Sequence, residues 1–173
     1  MYHLENLNSW NIDVSCYNFI CQILKKGSTI LEFGSGYGTH ILSQHFTMFS
    51  VENNPDWLNK YNSTYIWSPI ELYGDKLPPK GFESQKGWYK TENLKNTIPN
   101  SYDLILIDGP EGKWGRAGIL NFLPYLNTSV PIIVDDIERP DEAKLLKELV
   151  SILGKNVVEI KSQNSKKLSA CLI

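Results

Sequence analysis

The sequence is most informative at residues 29–39, which read TILEFGSGYGT. A short β-prone apolar segment carries an acid, Glu32, and three closely spaced glycines follow it directly. The next residues, 40–44, can begin a helix. Glycines at a strand-to-helix turn permit positive φ angles and let a ligand approach the backbone closely. The segment therefore predicts a nucleotide-like ligand at this turn, and the alternative is a tight βα turn that binds nothing.

Helical and strand-like patterns alternate on both sides of this turn. Apolar residues at helical spacing follow Asp13, and Gly27 is suited to end that helix. Two apolar runs bounded by polar or turn residues, 103–108 and 131–134, are typical of parallel strands buried on both faces of a sheet. We predict helices that begin near residues 13, 40 and 54 and helices over 114–123 and 141–153, with strands at 29–33, 46–51, 63–67, 103–108, 131–134, 157–160 and 168–173.

This alternation predicts an α/β fold. Its sheet is doubly wound, mostly parallel and seven-stranded, and the C-terminal hairpin adds an antiparallel strand. Ligands bind such sheets outside the carboxyl ends of the strands, where the strand order reverses. We expect a single domain over residues 1–173, with a lead-in and helix at 1–28 and the sheet core at 29–173. Residues 71–90 read as a long loop, of the kind that often forms a functional lid.

Composition limits the partners of the protein. The 173 residues include 42% hydrophobic and 21% charged residues, as in ordinary globular proteins. A net charge of -2 provides no basic footprint, so we expect no nucleic-acid partner. The three cysteines form no CxxC pair, which indicates reduced thiols rather than a disulfide framework or a zinc site. No secretion signal and no apolar run of about 20 residues is visible, so we expect a cytoplasmic protein without a membrane partner.

Residues 32–38, EFGSGYG, resemble the first motif of class I S-adenosylmethionine-dependent methyltransferases. Members of that family have a seven-stranded sheet whose final strand is antiparallel, and the resemblance extends over residues 13–173. The spacing GxGxG differs from the GxGxxG of dinucleotide-dependent dehydrogenases, so an NAD-dependent oxidoreductase is the least favoured alternative. The resemblance implies S-adenosylmethionine as the cofactor.

The predicted cofactor site begins at the glycine turn. Backbone groups of residues 34–36 can hold the amino-acid end of S-adenosylmethionine, while Glu32 accepts from the ammonium or supports the turn from beneath. Glu52 ends the next strand, at the roughly 20-residue distance at which Rossmann proteins place an acid for the ribose hydroxyls. A strand-end surface acid is the alternative for Glu52, and in the family the residues after the third strand line the adenine. The predicted cofactor-binding residues are Glu32, Gly34, Ser35, Gly36, Gly38, Thr39, Glu52, Asn53, Trp67, Ser68 and Asp108.

Three carboxylates form a second candidate site. Asp108 ends one predicted strand, and Asp135 with Asp136 ends the next. The carboxyl ends of neighbouring parallel strands lie together, and converging carboxylates repel one another unless a cation or a proton intervenes. The spacing resembles that of metal-dependent O-methyltransferases, which implies a Mg²⁺ ion bound by Asp108, Asp135 and Asp136. In the alternative, Asp108 organises the loop near the cofactor and the aspartate pair caps a helix.

The predicted catalytic residues are Asp108, Asp136 and Lys113. Lys113 lies in a glycine-flanked loop and can act as a general base if its pKa is depressed, and a solvated lysine is the alternative. The acceptor pocket is expected from residues 1–12, 71–90 and 109–116. Aromatic candidates for its lining are Trp10, Tyr37, Trp88, Tyr89 and Trp114.

These features favour methyl transfer to an oxygen of a small molecule or a sugar. Residues 107–110, IDGP, with the later Gly115 and Arg116, resemble a subgroup that methylates sugar and polysaccharide hydroxyls. Arg116 could then pair with a carboxylate or phosphate of the substrate, or with a nearby acid such as Glu111. N-methylation of a small molecule or protein is one alternative, and a cofactor-binding module without catalysis is another. The sequence names neither the acceptor nor the oligomeric state.

Overall fold

The predicted alternation of strands and helices is present. The structure, a computed structural model, describes residues 12–74 and 77–173. The helices are α1 Val14–Ile23, α2 Tyr37–Leu42, α3 Thr91–Lys95, α4 Ile119–Phe122 and α5 Pro140–Leu153. The strands are β1 Thr29–Phe33, β2 Thr47–Glu52, β3 Thr64–Trp67, β4 Ile70–Leu72, β5 Gly87–Tyr89, β6 Leu104–Ile107, β7 Ile132–Val134, β8 Val157–Lys161 and β9 Leu168–Leu172.

The main sheet has seven strands in the order β3-β2-β1-β6-β7-β9-β8. Its first five strands are parallel, and β9 is antiparallel to both β7 and β8. This arrangement confirms the predicted α/β fold class. β4 and β5 form a separate antiparallel pair. The strand order reverses between β1 and β6, and that is the position at which doubly wound sheets bind ligands.

The central strands are buried on both faces, which explains their continuous apolar sequence. Every residue of β6 is buried, as are the last four residues of β1. On one face, Phe33 and Ile107 pack in a cluster that includes Leu149 of α5. On the other face, Leu106 packs in a cluster that includes Ile20 of α1. Burial of apolar side chains on both faces stabilises the sheet by about 25 cal/mol for each Å² removed from water.

The predicted long loop at residues 71–90 is shorter than expected, because β4 and β5 occupy its two ends, while residues 73–74 and 77–86 have no helix or strand. β4 and β5 pair antiparallel within this region, and α3 follows β5 almost directly. Phe82, Trp88 and Tyr89 are buried in the core. Three-residue strands are too short for a period of two to appear in the sequence. The pair forms because it buries these aromatic side chains against the main sheet.

Two predicted helices are shorter than expected. Asn54 accepts a hydrogen bond from the Asp56 N–H at 3.1 Å, as an N-cap should, but only a 3₁₀ turn at Pro55–Trp57 follows. Residues 114–123 are helical only at α4, which continues as a 3₁₀ helix at Leu123–Tyr125. Gly115 explains the late start of α4, because its φ of 99° is incompatible with a right-handed helix.

The described part of the chain contains free cysteines and no long apolar helix. Cys16 and Cys171 are buried thiols, whereas Cys21 is exposed. Within residues 12–74 and 77–173, none of the helices has the length and hydropathy needed to cross a membrane.

Candidate functional site

A cavity of about 490 Å³ opens where the strand order reverses, at the carboxyl ends of β1, β2 and β6. Ligand pockets in proteins typically have volumes of about 300–1,000 Å³. Predicted residues meet here with residues that the sequence did not point to. The lining consists of Gly34, Ser35, Gly36, Tyr37, Glu52, Asn53, Trp57, Tyr61, Tyr89, Asp108, Gly109, Pro110, Glu111, Gly112, Arg116, Asp136, Arg139 and Lys167.

The glycine turn touches the loop after β6 through two glycines. Gly34 has a φ of 94°, and a β-carbon there would lie 2.9 Å from both the α-carbon and the nitrogen of Gly109. A β-carbon on Gly109 would lie 2.6 Å from the α-carbon of Gly34. The Gly34 N–H also donates to the Val51 carbonyl at 2.9 Å. The backbones of the two loops therefore approach each other so closely that only glycine fits at either position.

Glu52 joins the glycine turn to the end of β2. Its Oε2 accepts from the Ser35 N–H at 2.8 Å, and its Oε1 accepts from the N–H groups of Asn53 and Asn54 at 2.7 and 2.6 Å. Burial raises the pKa of Glu52 above its ordinary value, although these bonds oppose the shift. A carboxylate has about four lone-pair positions, so it keeps acceptor capacity for a ribose hydroxyl. Cofactor binding by Glu52, Ser35 and Asn53 stays a prediction, and all three line the cavity.

Glu32 lies beneath the glycine turn, outside the cavity lining. Its Oε2 accepts from the Thr39 hydroxyl at 2.8 Å and from the Ser50 hydroxyl at 2.7 Å. Burial raises the pKa of Glu32 to about 8. This geometry favours the supporting role over direct contact with the cofactor. Gly38 and Thr39 are also buried behind the turn, with Gly38 packed against Ile12.

The residues predicted to line the adenine lie away from the cavity. Trp67 is 43% exposed at the end of the edge strand β3. Ser68 is buried, and its hydroxyl donates to the Lys90 carbonyl at 3.2 Å. Neither residue belongs to the cavity lining. The reason is that the segment after β2 folds over this edge of the sheet and lines the cavity instead.

That segment and the first residue of α2 supply an aromatic wall, defined as Tyr37, Trp57 and Tyr61. The ring centroids of Trp57 and Tyr61 are 6.3 Å apart, and those of Tyr37 and Tyr61 are 6.5 Å apart. The Nζ atom of Lys60 lies 4.0 Å from the Trp57 ring centroid. Spacing of i, i+4 predicts a buried helix face for Trp57 and Tyr61, whereas the 3₁₀ turn leaves them partly exposed beside the cavity. Their nearness to Glu52 in the sequence is the signal that could have identified them.

The three predicted carboxylates converge around a buried arginine. One oxygen from each of Asp108, Asp135 and Asp136 lies within 4.8 Å of the others. Arg116 is only 3% exposed and donates through Nη2 to Asp136 Oδ2 at 2.8 Å and to Asp108 Oδ1 at 3.4 Å. Its Nη1 donates to the Asp135 carbonyl at 2.9 Å. Arg116 is therefore the main counter-ion of the acids.

Two further cations and a fourth acid complete the arrangement. Arg139 Nη1 lies 3.0 Å from Asp136 Oδ2, and Lys167 Nζ lies 3.6 Å from Asp136 Oδ1. Glu142, in the first turn of α5, lies 3.8 Å from the Nε of Arg116. We name this set the charged cluster, and its members are Asp108, Arg116, Asp135, Asp136, Arg139, Glu142 and Lys167.

Burial and mutual repulsion perturb the acids of the charged cluster. Burial raises the pKa of Asp108 well above its usual range, and Asp135 raises it further while Arg116 opposes the shift. Burial also raises the pKa of Asp135, with a contribution from the charge of Asp136. The backbone of Asp136 has a φ of 61°, in the left-handed region that non-glycine residues seldom occupy. Such strain is concentrated at functional sites.

The charged cluster holds protein cations where the sequence predicted a Mg²⁺ ion. Carboxylate oxygens are suitable ligands, but Mg²⁺ requires them at about 2.0–2.1 Å in octahedral geometry. The Arg116 guanidinium already lies between Asp136 and Asp108, at 2.8 and 3.4 Å. Arg139 and Lys167 balance further negative charge. The convergence of acids was thus predicted correctly, but the structure gives no support to the predicted Mg²⁺, because protein cations take its place.

Lys113 and two of the predicted aromatic residues lie outside the cavity lining. The Lys113 side chain is 61% exposed, and its Nζ pairs with Glu111 Oε2 at 2.5 Å. An exposed, ion-paired amine is poorly placed to remove a proton from a bound molecule. Trp88 is buried in the core, and Trp114 does not line the cavity either. Trp10 lies outside the described residues, whereas Tyr37 and Tyr89 do line the cavity.

Arg139 and Lys167 are cavity residues that no sequence motif indicated. Arg139 reaches the cavity because its N–H donates to the carbonyl of Asp136, which turns the chain back at the start of α5. Lys167 precedes β9, and the antiparallel pairing of β9 with β7 brings it beside Asp136. Pairing between segments so distant in sequence leaves no local signal.

Comparisons with known proteins agree on the fold. No protein-family model and no curated protein matches the chain. A methyltransferase from Pyrococcus furiosus matches 99% of this chain and 86% of its own, with a TM-score of 0.55 and 18% identity. Sp1610 of Streptococcus pneumoniae, solved with S-adenosyl-L-methionine, matches 93% of this chain and 72% of its own, with a TM-score of 0.52 and 12% identity. The N-terminal domain of human METTL16, solved with S-adenosylhomocysteine (SAH), matches 91% of this chain and 66% of its own, with a TM-score of 0.51 and 11% identity.

Proposed function

We propose that this chain is an S-adenosylmethionine-dependent methyltransferase that methylates a hydroxyl of a small molecule or sugar. The observation that carries this proposal is one cavity in which the glycine turn and Glu52 face the charged cluster. Its fold is shared with structures that hold S-adenosylmethionine or SAH, and this supports the choice of cofactor. The aromatic wall is available to the cofactor, and the part of the cavity beside Asp108 is available to the methyl acceptor.

The donor half of the cavity consists of the glycine turn, Glu52 and the aromatic wall. In the proposed complex, backbone groups of residues 34–36 hold the amino-acid end, Glu52 accepts from the ribose, and the aromatic wall packs on the adenine. The carboxylates of Glu52 and Asp108 favour a ligand that carries a positive sulfonium group. When bound, S-adenosylmethionine supplies the methyl group and its sulfur takes the electron pair of the broken carbon–sulfur bond.

Asp108 is the residue that receives the proton of the acceptor hydroxyl. It directly follows β6 and lines the cavity together with Gly109 and Arg116. Burial raises the pKa of Asp108, and a carboxylate with a higher pKa is a stronger base. Arg116, at 3.4 Å, orients the carboxylate. The acceptor oxygen forms the new bond to the methyl carbon as its proton passes to Asp108.

Ligand binding and methyl transfer test this function. We expect calorimetry to detect binding of S-adenosylmethionine and SAH, and labelled methyl to pass to a hydroxyl in a panel of sugars and phenols. Asp108→Asn should slow transfer by about 100-fold or more, because a general base contributes about 10²–10⁴-fold. The affinity for SAH, which lacks the sulfonium charge, should change little in this variant.

Glu159→Gln is the matched control, because it neutralises an exposed acid on β8. Its transfer rate and cofactor affinity should equal those of the wild type. Failure of the wild type to bind S-adenosylmethionine would contradict the proposed function. Amines and RNA are offered beside the sugars and phenols, and if only they are methylated, the proposed hydroxyl specificity is wrong while the use of S-adenosylmethionine stands.

Chelation of metal ions should leave the activity unchanged. Arg116, Arg139 and Lys167 already pair with acids of the charged cluster, so we expect transfer without an added cation. Transfer rates measured with EDTA, without it and with added Mg²⁺ should agree within about twofold. A loss of transfer in EDTA that Mg²⁺ restores would show that a metal takes part.

A further inference from the structure

Tyr89 places a buried hydroxyl between the two halves of the cavity. The residue ends β5, is 1% exposed and belongs to the cavity lining. A β-carbon on Gly109 would lie 2.7 Å from its hydroxyl oxygen. Because Gly109 in turn touches Gly34, the Tyr89 hydroxyl lies at the contact between the glycine turn and the loop after β6.

This hydroxyl has no hydrogen-bond partner among residues 12–74 and 77–173. Buried polar groups in folded proteins nearly always have a partner, and one without a partner calls for an explanation. Burial raises the pKa of Tyr89 well above its ordinary value, so the oxygen keeps its proton. It therefore offers one donor and free acceptor positions.

The charges around the phenol come from both halves of the cavity. Glu52 and Glu32 act on it from the donor side, and Arg116 and Asp108 act on it from the acceptor side. The aromatic wall is formed by Tyr37, which follows the glycine turn, and by the segment after β2, so the adenine end of a bound cofactor would lie on that side. The part of the ligand beside Gly34 is then its amino-acid end.

We propose that the Tyr89 hydroxyl hydrogen-bonds the amino-acid end of S-adenosylmethionine and thereby fixes the methyl group relative to Asp108. This inference rests on the proposed function. An amino-acid end carries ammonium donors and carboxylate acceptors, so it matches a phenol that can both donate and accept. Neither sugar nor adenine offers an ionised partner, for which hydrogen bonds are strongest.

Tyr73 provides a matched control. It directly follows β4, in the antiparallel pair that also carries Tyr89, and its hydroxyl is likewise buried without a partner in the described part of the chain. Tyr73 does not line the cavity. Replacing either tyrosine with phenylalanine removes the same atom from the same small sheet region, but only Tyr89 lines the cavity.

Calorimetry with three ligands tests the contact. The ligands are S-adenosylmethionine, SAH and 5′-deoxy-5′-methylthioadenosine, which lacks the amino-acid end. We expect Tyr89→Phe to weaken binding of the first two about tenfold, the usual effect of one hydrogen bond to a charged group. Binding of methylthioadenosine should stay within about twofold of the wild type. Tyr73→Phe should leave all three affinities unchanged.

Each other outcome overturns the inference. Equal weakening of all three ligands would mean that Tyr89 only supports the fold, and unchanged affinities would mean that its hydroxyl contacts no part of the cofactor. Weaker binding of S-adenosylmethionine alone would place the contact at the methyl group. Wild-type protein that binds none of the three ligands would instead refute the proposed function. Thermal unfolding of each variant without ligand shows whether the fold is intact.

Discussion

Gly34→Ala is expected to lower the free energy of unfolding by about 2–5 kcal/mol and to abolish measurable binding of S-adenosylmethionine. The new β-carbon would lie 2.9 Å from backbone atoms of Gly109, which cannot rotate away as a side chain can. The φ of 94° adds a conformational cost for any residue with a side chain. Because domains are stable by only about 5–15 kcal/mol, this is a large fraction of the total.

Gly112→Ala is the control for this variant. Gly112 also lines the cavity, but a β-carbon added there would have Arg139 Nη1, at 3.8 Å, as its nearest neighbour. Urea unfolding should give it a midpoint like that of the wild type, while the Gly34→Ala midpoint falls. If Gly34→Ala unfolds at the wild-type midpoint and binds the cofactor normally, the contact between the two loops does not set the shape of the donor half.

Arg116→Met is expected to destabilise the protein by about 3–5 kcal/mol, because it leaves buried carboxylates without their counter-ion. Arg116 reaches Asp108, Asp136 and the Asp135 carbonyl, and its side chain is 4% exposed. Methionine fills a similar volume, so the loss reports charge and hydrogen bonding rather than a cavity. Chemical denaturation near pH 8 provides the measurement.

Arg139→Met separates this effect from a general loss of positive charge. Arg139 also pairs with Asp136, at 3.0 Å, but its side chain is 42% exposed. Exposed ion pairs contribute about 0–1 kcal/mol, so this variant should remain close to the wild type. Equal destabilisation of the two variants would contradict the assignment of Arg116 as the main counter-ion.

The stability of Arg116→Met should also depend on pH in a defined direction. Burial already raises the folded-state pKa of Asp108 and of Asp135, and loss of Arg116 removes an opposing influence. A carboxyl group with a raised folded-state pKa binds more protons in the folded state than in the unfolded state. Stability is therefore greatest below about pH 4 for these groups and falls as pH rises toward their folded-state pKa. The deficit of Arg116→Met relative to the wild type should be smaller near pH 5 than near pH 8.

The sheet and the contact of Glu52 with the glycine turn were largely predictable because their signals are local. The strand Thr29–Phe33 was placed correctly to the residue, since its apolar run ends at a glycine with a positive φ. Buried parallel strands produce continuous apolar runs, and β6 and β7 are examples. Glu52 was found because it directly ends β2, next to the turn that it binds.

The small sheet and the aromatic wall could not be predicted in the same way. β4 and β5 are three residues each and pair across a long intervening segment. Trp57 and Tyr61 have the spacing of a helix face, yet only a 3₁₀ turn forms there. Short elements acquire their structure from what they pack against, so neither periodicity nor propensity identifies them.

Local patterns of apolar residues, glycines and strand-end acids were thus sufficient for the fold class and for the meeting of Asp108, Asp135 and Asp136. The tertiary structure decided which cations these acids pair with, because it brings Arg116 from one loop and Lys167 from the last hairpin within ion-pair distance of them. It likewise placed the hydroxyl of Tyr89 at the contact of two loops. The physical reason is that the counter-ion of a buried charge is set by distance in space, which a linear sequence does not contain.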